Sequence, residues 1–110
     1  MVDPRVLDLD GLEWDEEAPG VRARHTDVDG VRWAIVEYAP GGGRPEWCTT
    51  AHVGYVLSGT IEYEFSDDRP PLQASTGQGF TLPPGAGHRG RNRFEGPATL
   101  LVVDEPYLKG

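Results

Sequence analysis

The chain has 110 residues, a formal net charge of −8 and a pI of about 4.7, which excludes nucleic acid and anionic membrane surfaces as general partners. Its 15 glycines and 10 prolines separate short runs rich in Val, Ile, Tyr and Trp, a composition typical of an all-β sandwich or barrel. The single cysteine, Cys48, excludes an intrachain disulfide. A lone cysteine, no signal-peptide pattern and no apolar run of membrane-spanning length together indicate a cytoplasmic protein.

The first 20 residues alternate acids with apolar side chains, and we expect them to form an N-terminal arm. Within the arm, residues 7–10 are predicted as a short edge strand and the acidic run 13–17 as a solvated loop. Trp14 is expected to pack onto the surface of the domain or onto a second subunit.

The dipeptide Asp29-Gly30 separates two alternating runs and predicts a tight hairpin between residues 21–27 and 31–39. Further strands are predicted at 51–58, 60–66, 72–75, 79–82, 88–94 and 98–103. No amphipathic helix of ordinary length is indicated. Eight or nine short strands in one domain, spanning about residues 21–104, are typical of a small jelly-roll barrel. Tyr38, Tyr55, Tyr63, Trp33 and Phe80 are expected in its core.

The stretch 77–92 contains a Pro-Pro-Gly turn followed by a lone histidine, His88. Strand alternation places His88, Gly90 and Asn92 on one face, and places three basic residues on the other: Arg89, Arg91 and Arg93. An inward imidazole indicates one polar spot inside the barrel. Asn92 is expected to secure strand geometry, and the arginines to pair with acids on a solvated face or, less often, to join a dimer contact.

Alternation also predicts which side chains accompany His52. Glu46, Cys48 and His52 share one face if the backbone stays extended, and Gly54 leaves room beside them. His25 lies in a strand of alternating polarity and is not expected to be a ligand.

Both stretches resemble the two motifs of the cupin family. The second motif, Gly-x5-Pro-x-Gly-x2-His-x3-Asn, is matched at five positions: Gly77, Pro83, Gly85, His88 and Asn92. The first motif, Gly-x5-His-x-His-x3,4-Glu-x6-Gly, is similar to the stretch 41–59, with Glu46 and Cys48 at its histidine pair and His52 at its glutamate position. The resemblance covers about residues 31–104. It implies a double-stranded β-helix barrel with a metal held inside its mouth.

The resemblance implies Glu46, His52 and His88 as metal ligands, with Cys48 as the weakest candidate because a buried cysteine is more often an apolar filler. Two histidines and a carboxylate form a facial triad that suits Fe(II) and leaves room for substrate or O2. A thiolate from Cys48 would instead favour Zn(II). Mn(II), Ni(II) and copper stay open. The exchanged ligands also leave open a family member that has lost its metal.

The favoured function is therefore a metal-dependent, oxygenase-like cupin enzyme that acts on a small polar molecule. One alternative is a non-enzymatic cupin that binds a small ligand or a metal as a sensor or accessory protein, and another is a metal-free structural cupin. The fold alone does not choose among them. Because small cupins often dimerise through edge strands, the resemblance also implies a homodimer, with residues 7–14 crossing to the partner.

Overall fold

A computed structural model describes residues 4–104, which form nine strands and one short 3-10 helix at Leu9–Gly11. The strands are β1 (Asp15–Ala18), β2 (Val21–Val28), β3 (Val31–Tyr38), β4 (His52–Ser58), β5 (Thr60–Phe65), β6 (Leu72–Ser75), β7 (Gly79–Leu82), β8 (His88–Arg91) and β9 (Ala98–Asp104). No helix in residues 4–104 has the length and apolar character needed to cross a membrane.

The strands form two antiparallel sheets that share one core. The larger sheet has the order β1-β2-β3-β9-β4-β7, and the smaller has the order β6-β5-β8. One side chain in two along each strand points inward, and both inner faces contribute to a common cluster that includes Val36, Tyr38, Val56, Leu100, Ile61, Tyr63 and Ala74. This architecture confirms the predicted all-β jelly roll, a double-stranded β-helix.

The turn between β2 and β3 matches its prediction. Val28 and Val31 are the last paired residues of the hairpin, and the two residues between them, Asp29 and Gly30, have φ values of 52° and 80°. Two successive residues with positive φ are what a type I′ hairpin turn requires.

Strand β8 ends earlier than predicted, at Arg91, because Asn92 binds neighbouring backbone with its side chain. Its Nδ2 donates to the carbonyl oxygens of Tyr38 (3.1 Å) and Gly96 (2.8 Å), and its Oδ1 accepts from the Phe94 N–H (2.9 Å). The side chain is fully buried. The expectation that Asn92 secures strand geometry is confirmed.

Two predictions for the N-terminal arm are wrong. Residues 7–10 are not an edge strand, because the Asp8 carboxylate accepts from the Gly11 N–H at 3.2 Å and caps the 3-10 helix at Leu9–Gly11. The acidic run is not all loop, since β1 pairs with β2 and joins the larger sheet. Trp14 does pack onto the domain, with the guanidinium groups of Arg22 and Arg24 at 4.1 and 4.2 Å from its ring.

The outer face of the larger sheet carries two apolar cross-strand rows on β3, β9 and β4. These rows, which we call the outer apolar face, are Trp33–Val103–Val53 and Ile35–Leu101–Tyr55. Tyr55 and Trp33 were expected in the core, and both expectations are wrong because both residues lie on this outer face. Tyr55 is 45% exposed, since odd-numbered residues of β4 point outward.

Candidate metal centre

Cys48 and His88 face each other across an isolated bridge between the β3–β4 loop and the first residue of β8. Each backbone N–H donates to the other residue's carbonyl oxygen at 2.9 Å. Directly opposed residues in an antiparallel pair point to the same side. The bridge therefore brings the Cys48 thiol and the His88 imidazole to one face, and His88 is only 3% exposed.

His52, the first residue of β4, completes the group. Its Nε2 lies 3.5 Å from Cys48 Sγ, and its ring centroid lies 5.0 Å from that of His88. One potential ligand atom from each of Cys48, His52 and His88 lies within 4.8 Å of the other two. The three donors are near enough to share one metal ion.

Glu46 does not belong to this group. The chain bends at Glu46 and again at Thr50, and the Glu46 side chain is exposed. The extended backbone that would have aligned Glu46 with Cys48 is therefore interrupted. The structure brings together His52, His88 and the cysteine that sequence reasoning ranked last.

A carboxylate does reach His52, but it comes from Asp104 at the end of β9. His52 and Asp104 are register partners, and Asp104 Oδ1 lies 2.9 Å from His52 Nδ1, although the two groups are not aligned for a hydrogen bond. A carboxylate against the far nitrogen of an imidazole is a common way to orient a metal-binding histidine. Sequence reasoning missed Asp104, since nothing local indicates that β9 lies beside β4.

The Cys48 thiol is held in its anionic form by its neighbours. The adjacent imidazole of His52, whose Nε2 lies 3.5 Å from Sγ, and then the imidazole of His88 lower the pKa of the thiol to about 5 against the opposing effect of burial. Thiolate is the form of cysteine that binds metals. Two tyrosines nearby are instead held in their neutral form by burial. Burial raises the pKa of Tyr38, and it raises the pKa of Tyr63 more strongly, so both phenols keep their protons.

The three donors fit a metal ion by a second criterion. His88 Nε2 is buried, and no atom of residues 4–104 forms a hydrogen bond with it. Leaving such a nitrogen unsatisfied costs free energy, and buried polar groups almost always have a partner. A cation shared with Cys48 and His52 would supply one.

The group lies in the wall of a cavity of about 230 Å³. That volume is below the range of about 300–1,000 Å³ typical of sites for drug-sized ligands, so a small ligand fits. Tyr38 and Tyr63 also line the cavity. Three charged residues line it as well, from β1, from β3 and from the loop after β3: Glu17, Arg32 and Arg44.

Comparison with known proteins identifies the family. The Cupin domain model matches residues 34–104, well over half of the chain. The protein belongs to the cupin family.

One curated protein and several solved structures are similar to the chain. Germin-like protein 1-1 of Oryza sativa subsp. japonica is 33% identical over 86 residues, which are 74% of this chain and 40% of that protein, so the chain spans less than half of this curated relative. The polyketide cyclase RemF from Streptomyces resistomycificus superposes with a TM-score of 0.75 at 19% identity, covering 93% of this chain and 79% of its own. A variant of oxalate decarboxylase from Bacillus subtilis superposes with a TM-score of 0.75 at 18% identity, and the match covers 90% of this chain and 28% of that chain. At such identities the two structures share the fold alone.

Proposed function

We propose that this cupin is a metal-dependent enzyme that acts on a small polar molecule in the 230 Å³ cavity. The supporting observation is the meeting of Cys48, His52 and His88 in the cavity wall, with a buried nitrogen of His88 that lacks a partner in the described chain. When bound there, a divalent cation would act as a Lewis acid on a substrate oxygen.

The donor set supports Zn(II) as the metal. One thiolate and two imidazoles are ligands that zinc prefers, and three protein ligands leave a fourth position for substrate, as in catalytic rather than structural zinc sites. The oxygenase-like form of the proposal required a carboxylate ligand, and Glu46 is exposed. We therefore propose Lewis-acid chemistry, with Fe, Mn, Ni and copper as contrary outcomes of metal analysis.

The chain's own residues would orient the ligands and the substrate. Asp104 contacts His52 Nδ1 at 2.9 Å and so leaves Nε2 directed toward Cys48. Tyr38 and Tyr63, which burial keeps protonated, can donate hydrogen bonds to a substrate oxygen in the cavity.

Elemental analysis of protein purified without a histidine tag tests the proposal. We expect about one zinc per chain in the wild type and a loss of most of it in His88→Ala. His25→Ala is the matched control, because His25 lies outside the Cys48–His52–His88 group, with its Nε2 3.8 Å from the exposed Asp15, and the change should leave metal content unchanged. Equal metal content in wild type and His88→Ala would contradict the proposed centre.

Turnover distinguishes the enzyme from the sensor or accessory protein. Stoichiometric zinc together with hydrolysis, isomerisation or lyase activity on small oxygenated substrates would support the enzyme. Stoichiometric metal with no turnover across such a panel would favour the non-enzymatic alternative. A cytoplasmic location, where thiols stay reduced, suits a Cys48 ligand and stays a prediction.

We further propose a homodimer formed through the outer apolar face, and the crossing of residues 7–14 to the partner stays a prediction. Six apolar side chains on three neighbouring strands form a patch of the kind that marks protein interfaces. Tyr55→Lys should convert the dimer to a monomer in sedimentation experiments, whereas Gln73→Lys, at an exposed position of the other sheet, should not. A monomeric wild type at micromolar concentration would contradict the dimer.

A further inference from the structure

Glu17 lies between two arginines inside the cavity that holds the candidate metal centre. Its Oε2 accepts from Arg32 Nη2 at 2.6 Å, and its Oε1 accepts from Arg44 Nη2 at 2.8 Å. Arg44 Nε also donates to the Tyr38 hydroxyl at 3.2 Å, which fixes the guanidinium against the cavity wall. Each oxygen of one carboxylate thus binds a different guanidinium.

A β-bulge places Glu17 there. Glu16 pairs with Arg22 and Ala18 with Val21, so Glu17 is the extra residue at the register shift in the β1–β2 ladder. Bulges at sheet edges are common next to active sites, where they redirect a side chain. Arg32 reaches the same place from β3, because even-numbered residues of that strand, including Ala34, point inward.

The three groups do not balance in charge. Two guanidinium groups face one carboxylate, so this wall keeps a net positive charge although the whole chain carries −8. Burial opposes ionisation of Glu17, but the hydrogen bonds from Arg44 and Arg32 outweigh it and hold the pKa of Glu17 below its usual range. Glu17 therefore remains an anion at neutral pH.

We propose that the substrate carries a carboxylate group and binds Arg32 and Arg44 through it, in the place that the Glu17 carboxylate occupies in the structure. The inference rests on the proposed function, because it names the class of substrate that the same cavity takes. Two guanidiniums bind a carboxylate through paired charge-assisted hydrogen bonds, and Glu17 already shows that geometry. Glu17 would leave with its edge strand β1, which among residues 4–104 pairs only with β2.

Acetate, with acetamide as its uncharged counterpart, is a suitable probe. In 15N-labelled protein treated with EDTA, acetate should shift the side-chain Nε–Hε signals of Arg32 and Arg44, and acetamide should not. Glu17→Gln removes the competing charge while keeping the size of the side chain, so its affinity for acetate should rise by about tenfold or more. Adding Arg44→Gln to the Glu17→Gln variant should abolish this rise in affinity for acetate.

The matched control is Glu37→Gln. Glu37 pairs with Arg22 at 2.8 Å on the outer face of the same sheet, so the variant frees an arginine that lies away from the cavity. It should leave acetate binding at Arg44 unchanged. If Glu17→Gln binds acetate no more tightly than the wild type, or if Glu37→Gln gains as much, then Glu17 is only a structural tie for β1 and the inference fails. Should Glu17→Gln not fold, a wild-type spectrum in which acetate leaves both arginine signals unmoved overturns it as well.

The readout separates this inference from the proposed function. Acetate binding to the arginines is measured without metal, so it can succeed even if the metal analysis fails. Conversely, if the protein binds zinc but acetate does not shift the arginine signals, the metal centre is supported and the carboxylate substrate is contradicted.

Discussion

Asn92 shows how one buried amide holds three parts of the chain together. Its side chain joins the end of β3 to the loop that leads into β9, and it also turns the backbone just after β8. The Tyr38 carbonyl that it satisfies lies in the core, where no water replaces a lost donor. The second cupin motif therefore ends in a residue that stabilises the fold.

Asn92→Ala should lower the free energy of unfolding by about 2–4 kcal/mol, because it leaves buried carbonyl groups without donors and opens a small cavity. Urea denaturation followed by tryptophan fluorescence measures this. Gln73→Ala, an exposed amide on β6, should change stability by less than about 0.5 kcal/mol. Similar losses in the two variants would contradict the role of Asn92.

The residues of the candidate metal centre and its cavity differ in whether the sequence alone predicts their positions. His52 and His88 were predictable because motif spacing and strand alternation act locally. The choice between Glu46 and Cys48 depended on a bend at Glu46 that alternation could not foresee. Asp104 and Glu17 reach the cavity only through pairing between strands distant in sequence and through a bulge, and neither leaves a local signal.

At the scale of elements, the β2–β3 hairpin depends on its turn. Asp29 and Gly30 both adopt the left-handed backbone conformation, which L-residues other than Asn and Asp seldom accept. A Cβ at Gly30 would meet nothing within 4 Å, and the same is true at Gly96, whose φ is outside the left-handed region. The two glycines therefore differ in backbone strain and not in available space.

Gly30→Ala should destabilise the protein by roughly 1–2 kcal/mol, since alanine pays the cost of positive φ. Gly96→Ala should be neutral or slightly stabilising, because it restricts the unfolded chain. Thermal unfolding of both variants checks the difference. Equal stability would show that the turn relaxes to another type without cost.

The smaller sheet is held by a row of charges between β5 and β8. The Glu64 Oε1 atom accepts from Arg89 Nε at 2.6 Å and from Arg91 Nη2 at 3.3 Å, while Arg93 Nε donates to Glu62 at 3.1 Å. These contacts confirm that the three arginines pair with acids, although Arg89 is only 24% exposed and so does not lie on a fully solvated face. The hydrogen bond from Arg89 is the main cause that lowers the pKa of Glu64.

Glu64→Gln should reduce stability at neutral pH by up to about 1 kcal/mol, the usual limit for partly exposed ion pairs. A carboxylate whose pKa is lower in the folded state stabilises the protein above its unfolded value and loses that contribution as pH falls. The difference in the free energy of unfolding between wild type and variant should therefore shrink as the pH falls below about 4.5, the ordinary pKa of a glutamate. It should vanish once the pH has passed the lowered pKa of Glu64. Denaturant titrations over this range measure it, with exposed Glu95→Gln as control. A gap that is independent of pH would contradict the ion pairing.

At the scale of the whole molecule, the candidate metal centre joins the two sheets. His52 and its partner Asp104 belong to the larger sheet, His88 belongs to the smaller one, and Cys48 bridges to β8 from the loop between β3 and β4. The strands from β2 to β9 were predictable from alternation and turn residues, and their number indicated a jelly roll, whereas β1 was predicted as loop. The order of strands was not predictable, because it arises from packing across the barrel.

A cation that binds only the folded protein should stabilise it. At a free zinc concentration about 100 times Kd, binding adds roughly 2.7 kcal/mol, which corresponds to a rise in Tm of roughly 10–20 °C for a domain of this size. Calorimetry after EDTA treatment and after zinc addition tests this. His88→Ala should lose the rise and His25→Ala should keep it. A Tm that ignores zinc in the wild type would contradict the centre.

The donors occupy positions 48, 52 and 88, and this order constrains when a cell could load the site. A nascent chain that ends before position 88 has only two of the three donors, one in the β3–β4 loop and one on β4, and its smaller sheet still lacks β8. Metal would bind tightly only after β8 has been synthesised and both sheets have assembled. The metal content of a purified sample would then report the fraction of molecules that reached their native topology.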